Sequence, residues 1–284
     1  MIPIQIKSSF SDWLKAKVHP KIILKSITPV SGGCINNALK LQTNNGAFFA
    51  KWNENQKDDM FQIESEGLKC LKKAGIYVPE VIAFDRNLLI LEFIYSSNPD
   101  AYFWENFGRN LARMHLYQAE KFGLDYDNYI GTLKQLNTKK EDWVDFFIHN
   151  RLMPQLATDN FPVSIKNNFE KLFVKLPNLI PKEFPSLIHG DLWNGNFLIH
   201  DNSQPVFVDP AIYFGNREMD IAMSQLFGNF HPDFYSSYDE VFPFQKGWKE
   251  RTNLCNLYPL LVHVNLFGRG YLNQVKNILS YYVG

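Results

Sequence analysis

The sequence has little cysteine, no excess charge of either sign and no long apolar run. Three cysteines in 284 residues, Cys34, Cys70 and Cys255, are odd in number, scattered and never spaced as CxxC. That argues against a disulfide framework or a structural zinc site and leads us to expect a reducing cytoplasm. Lys and Arg number 29, as do Asp and Glu, so the formal net charge is zero. A nucleic-acid binder would carry a basic excess. The clusters Lys72-Lys73 and Lys139-Lys140 are short and flanked by acids, which reads as solvated surface. The most apolar stretches, Leu88–Ile94 and Leu257–Phe267, are interrupted by Glu92, Pro259, His263 and Asn265 and are too short to span a bilayer. The opening MIPIQIKSSFSDW lacks a basic segment followed by a long apolar one, so no signal peptide is expected. Repeats and low-complexity tracts are lacking too.

What is present is ordinary globular material. Hydrophobic residues make up 45% and charged residues 20%, with 24 Phe to build cores and line a pocket. Ser8 or Ser9 is expected to cap a first short helix. Ile22–Pro29, Ala38–Gln42 and Ala47–Trp52 then read as strands, the last two joined by the hairpin signal Asn44-Asn45-Gly46. Asp58 is expected to cap a helix ending at Gly75, and Val81–Ala83 and Leu88–Phe93 read as two more strands. Beyond that the pattern turns helical. Asn98-Pro99 is expected to open a helix with Phe103, Phe107, Leu111 and Met114 on one face. Helical patterns follow over Trp143–Leu156 and Val163–Leu176, and again from Asp220 onward, interrupted by strands Phe197–Ile199 and Val206–Val208. The expected fold is α+β and two-lobed: a β-rich lobe over residues 1–93 and an α-rich lobe over 94–284.

The strongest chemical signal is His189-Gly190-Asp191-Leu192-Trp193-Asn194-Gly195-Asn196, with Asp209 beyond it. Phosphoryl transfer to a hydroxyl needs a carboxylate to accept the proton and hard oxygen ligands to hold Mg²⁺ against the phosphates. Asp191 followed five residues later by Asn196 has the spacing of a kinase catalytic loop. A hairpin through residues 200–204 would fold Asp209 back beside Asn196. The same spacing rules predict parts near the N-terminus, and they are there. Lys51 lies on a strand and can direct its ammonium at phosphates. Glu64 shares a helix stripe with Phe61, Leu68 and Leu71, and an inward carboxylate needs a cationic partner. Glu66, the rival, points roughly 200° away around the helix. The turn that contains Gly32, Gly33, Cys34 and Asn36 would let backbone N–H groups approach phosphate oxygens. The Glu92 carbonyl and the Ile94 N–H are the expected adenine contacts. Asp209 is followed by Pro210-Ala211, and only ten residues separate it from Asp220, which leaves no room for a long activation segment; a small or terminal acceptor is expected. Asp220 is expected to cap a helix and support the catalytic loop.

Taken together, GGCI at Gly32–Ile35, FAKWN at Phe49–Asn53, Met60-Phe61 with Glu64, Trp143 with Phe146-Phe147, Arg151-Leu152, HGDLWNGN and Asp209-Pro210-Ala211 resemble the fructosamine/ketosamine kinase family in order and spacing. The resemblance continues through Phe227-Gly228 and Asn265–Gly268 and covers nearly the whole chain. A broader kinship is with aminoglycoside and choline kinases, protein-kinase-like enzymes that share HGDxxxxN. The resemblance implies ATP-dependent phosphorylation at O3 of fructosamines or ribulosamines, free or on a glycated protein lysine, and hence protein deglycation. It implies Asp191 as the base, Asn196 and Asp209 as Mg²⁺ ligands, Lys51 on the phosphates with Glu64 orienting it, and Trp193 either over the sugar or packed within the loop. It also implies a redox-sensitive Cys34, in a monomer or a disulfide-linked dimer. A kinase for another amine or alcohol, a metal-dependent phosphohydrolase and an inactive scaffold are the alternatives.

Overall fold

The computed structural model describes residues 4–30, 37–53, 57 and 59–284, with backbone alone over residues 4–9. Helix α1 runs Ile4–Lys17, followed by strands β1 (Leu24–Pro29), β2 (Asn37–Thr43) and β3 (Gly46–Trp52). Ser8 and Ser9 therefore lie inside α1, which starts earlier than a serine cap would place it. Helix α2 (Met60–Lys73) and strands β4 (Val81–Phe84) and β5 (Leu88–Glu92) complete an antiparallel sheet of order β1-β2-β3-β5-β4. The hairpin turn falls at Asn44-Asn45-Gly46 as expected, with Thr43 opposite Gly46 and Thr43 Oγ1 donating to the Gly46 carbonyl at 2.8 Å. Strand alternation sorts the sheet's two faces. Leu39, Leu41, Ala50, Leu88 and Ile90 join Phe10 and Leu14 of α1 in one buried cluster, while Lys51, one residue on from Ala50, takes the other face. Asp58 lies outside the described residues; Asp59 precedes α2 without a side-chain cap.

Chain contacts divide the protein into two compact units. The first comprises residues 1–100 with Leu198–Val208, and the second comprises Ala101–Phe197 with Asp209–Gly284. The segment expected to begin a helix at Pro99 is irregular and ends in a turn at Ala101-Tyr102, and helix α3 starts at Phe103 and ends at His115. Ser97 N donates to the Ile199 carbonyl at 2.7 Å and Asp100 N to Ser203 Oγ at 2.8 Å. These tertiary bonds use backbone donors that a first helical turn would leave unpaired, and they override the Pro signal.

In the second unit, α3 is followed by the small hairpin β6 (Asn128–Ile130) and β7 (Leu133–Gln135). Helix α4 (Trp143–Phe146) passes through a π-helical turn, Phe147–Leu152, into α5 (Met153–Leu156), and α6 spans Val163–Leu179. Strand β8 (Ser186–Ile188) leads into the loop that carries Asp191. Strands β9 (Phe197–His200) and β10 (Gln204–Phe207) form the expected hairpin, which from Leu198 onward belongs to the first unit, and β11 (Tyr213–Gly215) follows Asp209 in the second. Helices α7 (Glu218–Leu226), α8 (Pro232–Val241), α9 (Trp248–Phe267) and α10 (Leu272–Val283) complete the unit. Helix α9 is apolar nearly all round, burying Leu254, Leu257, Leu260, Leu261 and Val264 at the centre of the core. Among the described residues, no helix is long and apolar enough to cross a membrane.

Candidate active site

Two short strands that the periodicity did not reveal set the geometry. β8 and β11 pair antiparallel, Ile188 opposite Tyr213, so the segments after β8 and before β11 leave the ladder side by side. Ala211 N donates to the His189 carbonyl at 2.9 Å and extends the pairing. Gly190 has φ +81, and a Cβ there would stand 2.1 Å from the Ala211 carbonyl oxygen. Only glycine satisfies both conditions. The loop is then tied from below. Asp220, fully buried at the third position of α7, accepts from His189 N at 2.7 Å and from Gly190 N at 2.9 Å. It supports the loop as expected but does not cap α7, where the residue before the helix is Arg217.

Asp191 and Asn196 are joined directly within the loop. Asn196 Nδ2 donates to both the Asp191 carbonyl and Asp191 Oδ2, each at 2.8 Å. Burial pushes the Asp191 carboxyl up to about 7; the Asn196 hydrogen bond pulls the other way, and the charges of Asp209 and Asp220 add to the rise. A carboxyl held near neutrality is matched to proton transfer from an alcohol. Asp209 has φ +56, a left-handed conformation that a non-glycine residue rarely adopts. The Asn196 amide nitrogen is occupied by Asp191, so its Oδ1 remains as a hard donor alongside the Asp209 carboxylate. Among the described residues, no group of three or more His, Cys, Asp or Glu side chains is placed to hold a metal. A carboxylate plus an amide oxygen fits a cation such as Mg²⁺, which keeps water and phosphate oxygens in most of its coordination sites.

Trp193 is folded onto its own loop: a Cβ on Gly195 would lie 2.5 Å from the indole. Its edge meets Phe227 at 6.0 Å between ring centroids, and Phe227 leads on to His263 at 4.6 Å. His263 Nδ1–H donates to the Pro259 carbonyl at 2.7 Å, which orients the ring and leaves Nε2 as the acceptor face. In the first unit, Lys51 Nζ donates to Glu64 Oε1 at 2.6 Å, with side chains 9% and 13% exposed. The rival Glu66 accepts instead from Gln62 at 3.1 Å on the exposed face. Glu92 ends β5, with its N–H on the Glu80 carbonyl at 2.8 Å, and Ile94 is buried two residues on. Gly32, Gly33, Cys34 and Asn36 lie outside the described residues.

A model of the family described as Fructosamine kinase matches residues 6–283. The chain belongs to that family. It is 39% identical over 274 residues to a protein of Enterococcus faecium named "Probable ketoamine kinase", covering 93% of this chain and 96% of that one. It is 35% identical over 285 residues to the chloroplastic protein-ribulosamine 3-kinase of Arabidopsis thaliana, covering 96% and 86%. A Thermobifida fusca crystal structure bearing the fructosamine-3-kinase name superposes with a TM-score of 0.88 at 32% identity, covering 96% of this chain and 97% of that one. Choline kinase of Streptococcus pneumoniae, 14% identical with a TM-score of 0.65 over 98% of this chain and 100% of that one, shares the protein-kinase-like fold. Membership of the fructosamine kinase family makes this α+β protein a phosphotransferase.

Sequence reasoning missed the polar network under the catalytic loop. Arg217 forms a buried ion pair with Glu183 at 2.8 Å and lies 3.5 Å from the Tyr238 hydroxyl. The Tyr238 hydroxyl is 2.7 Å from His115 Nδ1, and His115 Nε2 is 3.2 Å from Asp220 Oδ2. Burial holds His115 below its usual range despite Asp220, so the ring is neutral, donating from Nε2 and accepting at Nδ1. One signal was available. His115 lies four positions after Leu111 and therefore continues the apolar stripe of α3.

Proposed function

We propose that the protein transfers the γ-phosphoryl group of ATP to a sugar hydroxyl of a glycated amine, at O3 of fructosamines or ribulosamines. The carrying observation is Asp191: a carboxyl raised to about 7, gripped by Asn196 and close enough to Asp209 to feel its charge. Asp191 would accept the proton of the attacking hydroxyl. Asn196 Oδ1 and the Asp209 carboxylate would hold Mg²⁺, which when bound neutralises phosphate charge as it develops. In the first unit, Lys51 would reach the α- and β-phosphates with Glu64 fixing its ammonium, and the Glu92 carbonyl and Ile94 N–H would take adenine. Gly32, Gly33, Cys34 and Asn36 would cover the phosphates.

On the acceptor side, Trp193, two residues after the base and in contact with Phe227, which in turn meets His263, would offer the substrate an aromatic surface. An aromatic face suits the C–H surface of a sugar, and an imidazole acceptor suits its hydroxyls. The family and the relatives' names support this substrate class. Phosphorylation at O3 would destabilise the adduct and release the amine, which is deglycation of free or protein-bound lysine. The cytoplasm is the compartment this reading implies, and Cys70 and Cys255 are free thiols.

The test is phosphorylation of synthetic ribulose-lysine and fructose-lysine by wild type and Asp191→Asn. Loss of the base is expected to cost on the order of 10²-fold or more in kcat, with nucleotide binding retained. Equal turnover by the two proteins, or phosphorylation of choline and aminoglycosides in preference to both ketosamines, would refute the reading.

A further inference from the structure

The β6–β7 hairpin and the π-helical turn send a chain of buried amides to the peptide that follows Asp209. Arg151, fully buried, lies with its guanidinium 3.8 Å from the Tyr213 ring centroid and donates from Nη2 to Asn137 Oδ1 at 2.7 Å. Asn137 Nδ2 donates to Asn128 Oδ1 at 2.8 Å, and Asn128 Nδ2 donates to the Ile212 carbonyl at 2.7 Å. A parallel branch starts at the Tyr258 hydroxyl, which donates to Gln135 Oε1 at 2.8 Å. Gln135 Nε2 then donates to the Ala211 carbonyl at 3.0 Å and to Asn128 Oδ1 at 2.8 Å.

The direction of these bonds is dictated. A guanidinium only donates, so Asn137 must turn its oxygen toward Arg151 and its nitrogen toward Asn128. Each amide passes the same orientation on, and both branches end as donors on consecutive peptide carbonyls. Asn128, Gln135, Asn137 and Arg151 are all buried, so a misdirected amide would leave an unpaired polar group in the core. The two donors satisfy the carbonyls of residues 211 and 212 and, in doing so, fix the backbone of that stretch.

Those carbonyls belong to the segment that leaves Asp209. The Ala211 peptide is held on three sides: its N–H by the His189 carbonyl, its oxygen by Gln135, and the same oxygen pressed against Gly190. Asp209, two residues earlier, sits at φ +56, a left-handed conformation that costs an L-residue free energy unless its surroundings hold it. A clamp on the following peptides selects that conformation. We propose that Gln135 and Asn128 are positioning residues that hold Asp209 in register with Asp191, so that metal affinity depends on a carboxamide clamp remote from the reacting atoms. The proposal rests on reading Asp209 as a metal ligand.

The test uses Mn²⁺ as the probe, its binding to the full-length protein with ADP followed by electron paramagnetic resonance. Gln135→Met keeps the length and apolar volume of the side chain and removes both donors. Its Mn²⁺ Kd is expected to rise about tenfold, the usual range for losing an outer-shell partner, with KM for ribulose-lysine within about twofold of wild type. Val275→Ala, a buried truncation on α10, is expected to lower Tm while leaving the Mn²⁺ Kd unchanged. If Gln135→Met does not fold, Asn128→Ser is read the same way. An unchanged Mn²⁺ Kd in the folded clamp variant overturns the proposal. Asp209→Asn separates the two layers. Weakened Mn²⁺ binding there, with none in the clamp variant, rejects the clamp alone, whereas wild-type binding in Asp209→Asn rejects the metal-ligand reading and the clamp with it.

Discussion

Gly190→Ala and Gly75→Ala make a matched pair, because both glycines have φ +81 and differ only in what a methyl group would meet. At Gly75 nothing lies within 4 Å of the added carbon. The cost there is the left-handed conformation itself, about 1–2 kcal/mol for an L-residue. At Gly190 the same conformational cost applies, and the new Cβ would stand 2.1 Å from the Ala211 oxygen and 2.9 Å from its carbon. Ordinary contact needs more than 3 Å, so a backbone carbonyl would have to retreat by about 1 Å. That carbonyl accepts from Gln135, and its own N–H is on His189. Stretching or breaking a buried hydrogen bond adds about 1–3 kcal/mol. The sum for Gly190→Ala is about 2–5 kcal/mol, against about 1–2 kcal/mol for Gly75→Ala. In a chain of this size each kcal/mol lowers Tm by roughly 2 °C, so losses of about 4–10 °C and about 2–4 °C are expected. Differential scanning calorimetry reads both, and ketosamine phosphorylation follows in parallel. Only Gly190→Ala should also lose at least about tenfold in kcat, because the retreat of Ala211 carries Asp209 away from Asp191. Equal Tm losses in the two variants, or full activity in Gly190→Ala, would refute the argument that the two loops interlock through this contact.

Other expectations follow from the same geometry. The Asp191 carboxyl is raised from 3.8 to about 7, so the group is protonated below neutrality; kcat/KM should fall with an acid limb near 7 in a pH profile, and a limb near 4 would contradict it. A raised carboxyl also opposes folding once it ionises, with stability declining as pH climbs from 3.8 toward 7. Asp191→Asn should therefore raise Tm at pH 8, by roughly 2–4 °C, in calorimetry. His115 has the opposite sign: its depressed value means that stability falls as pH drops below its ordinary 6.5. His115→Gln should flatten Tm between about pH 6.5 and 5, and an unaltered slope would count against a neutral buried ring. Removing the Glu64 carboxylate takes from Lys51 the 2.6 Å ion pair that fixes its nearly buried ammonium. Glu64→Gln should raise the ATP KM at least about tenfold while changing the ketosamine KM little, as steady-state kinetics would show.

The elements that announce themselves locally were legible in the residues. Alternation along β2, β3 and β5, the Asn-Gly turn and the amphipathic stripe of α2 are short-range patterns, and they carried Lys51 and Glu64 to the same side of the sheet. The five-residue interval from Asp191 to Asn196 is likewise local, and the two side chains meet within one loop. The start of α3 at Phe103, the β8–β11 pairing and the left-handed turn at Asp209 were not legible. Each depends on partners remote in sequence, such as Ser203 for Asp100 or His189 for Ala211. The His115–Tyr238 contact joins residues 123 positions apart, as does the Tyr258–Gln135 bond. Hydrogen bonds between distant side chains have no period along the chain and leave no trace in composition. The sequence alone therefore specified which chemical groups the protein possesses and the local elements that bear them. The tertiary fold decided which donors and acceptors meet and which groups are buried, and that burial set the charge of His115 and the proton affinity of Asp191.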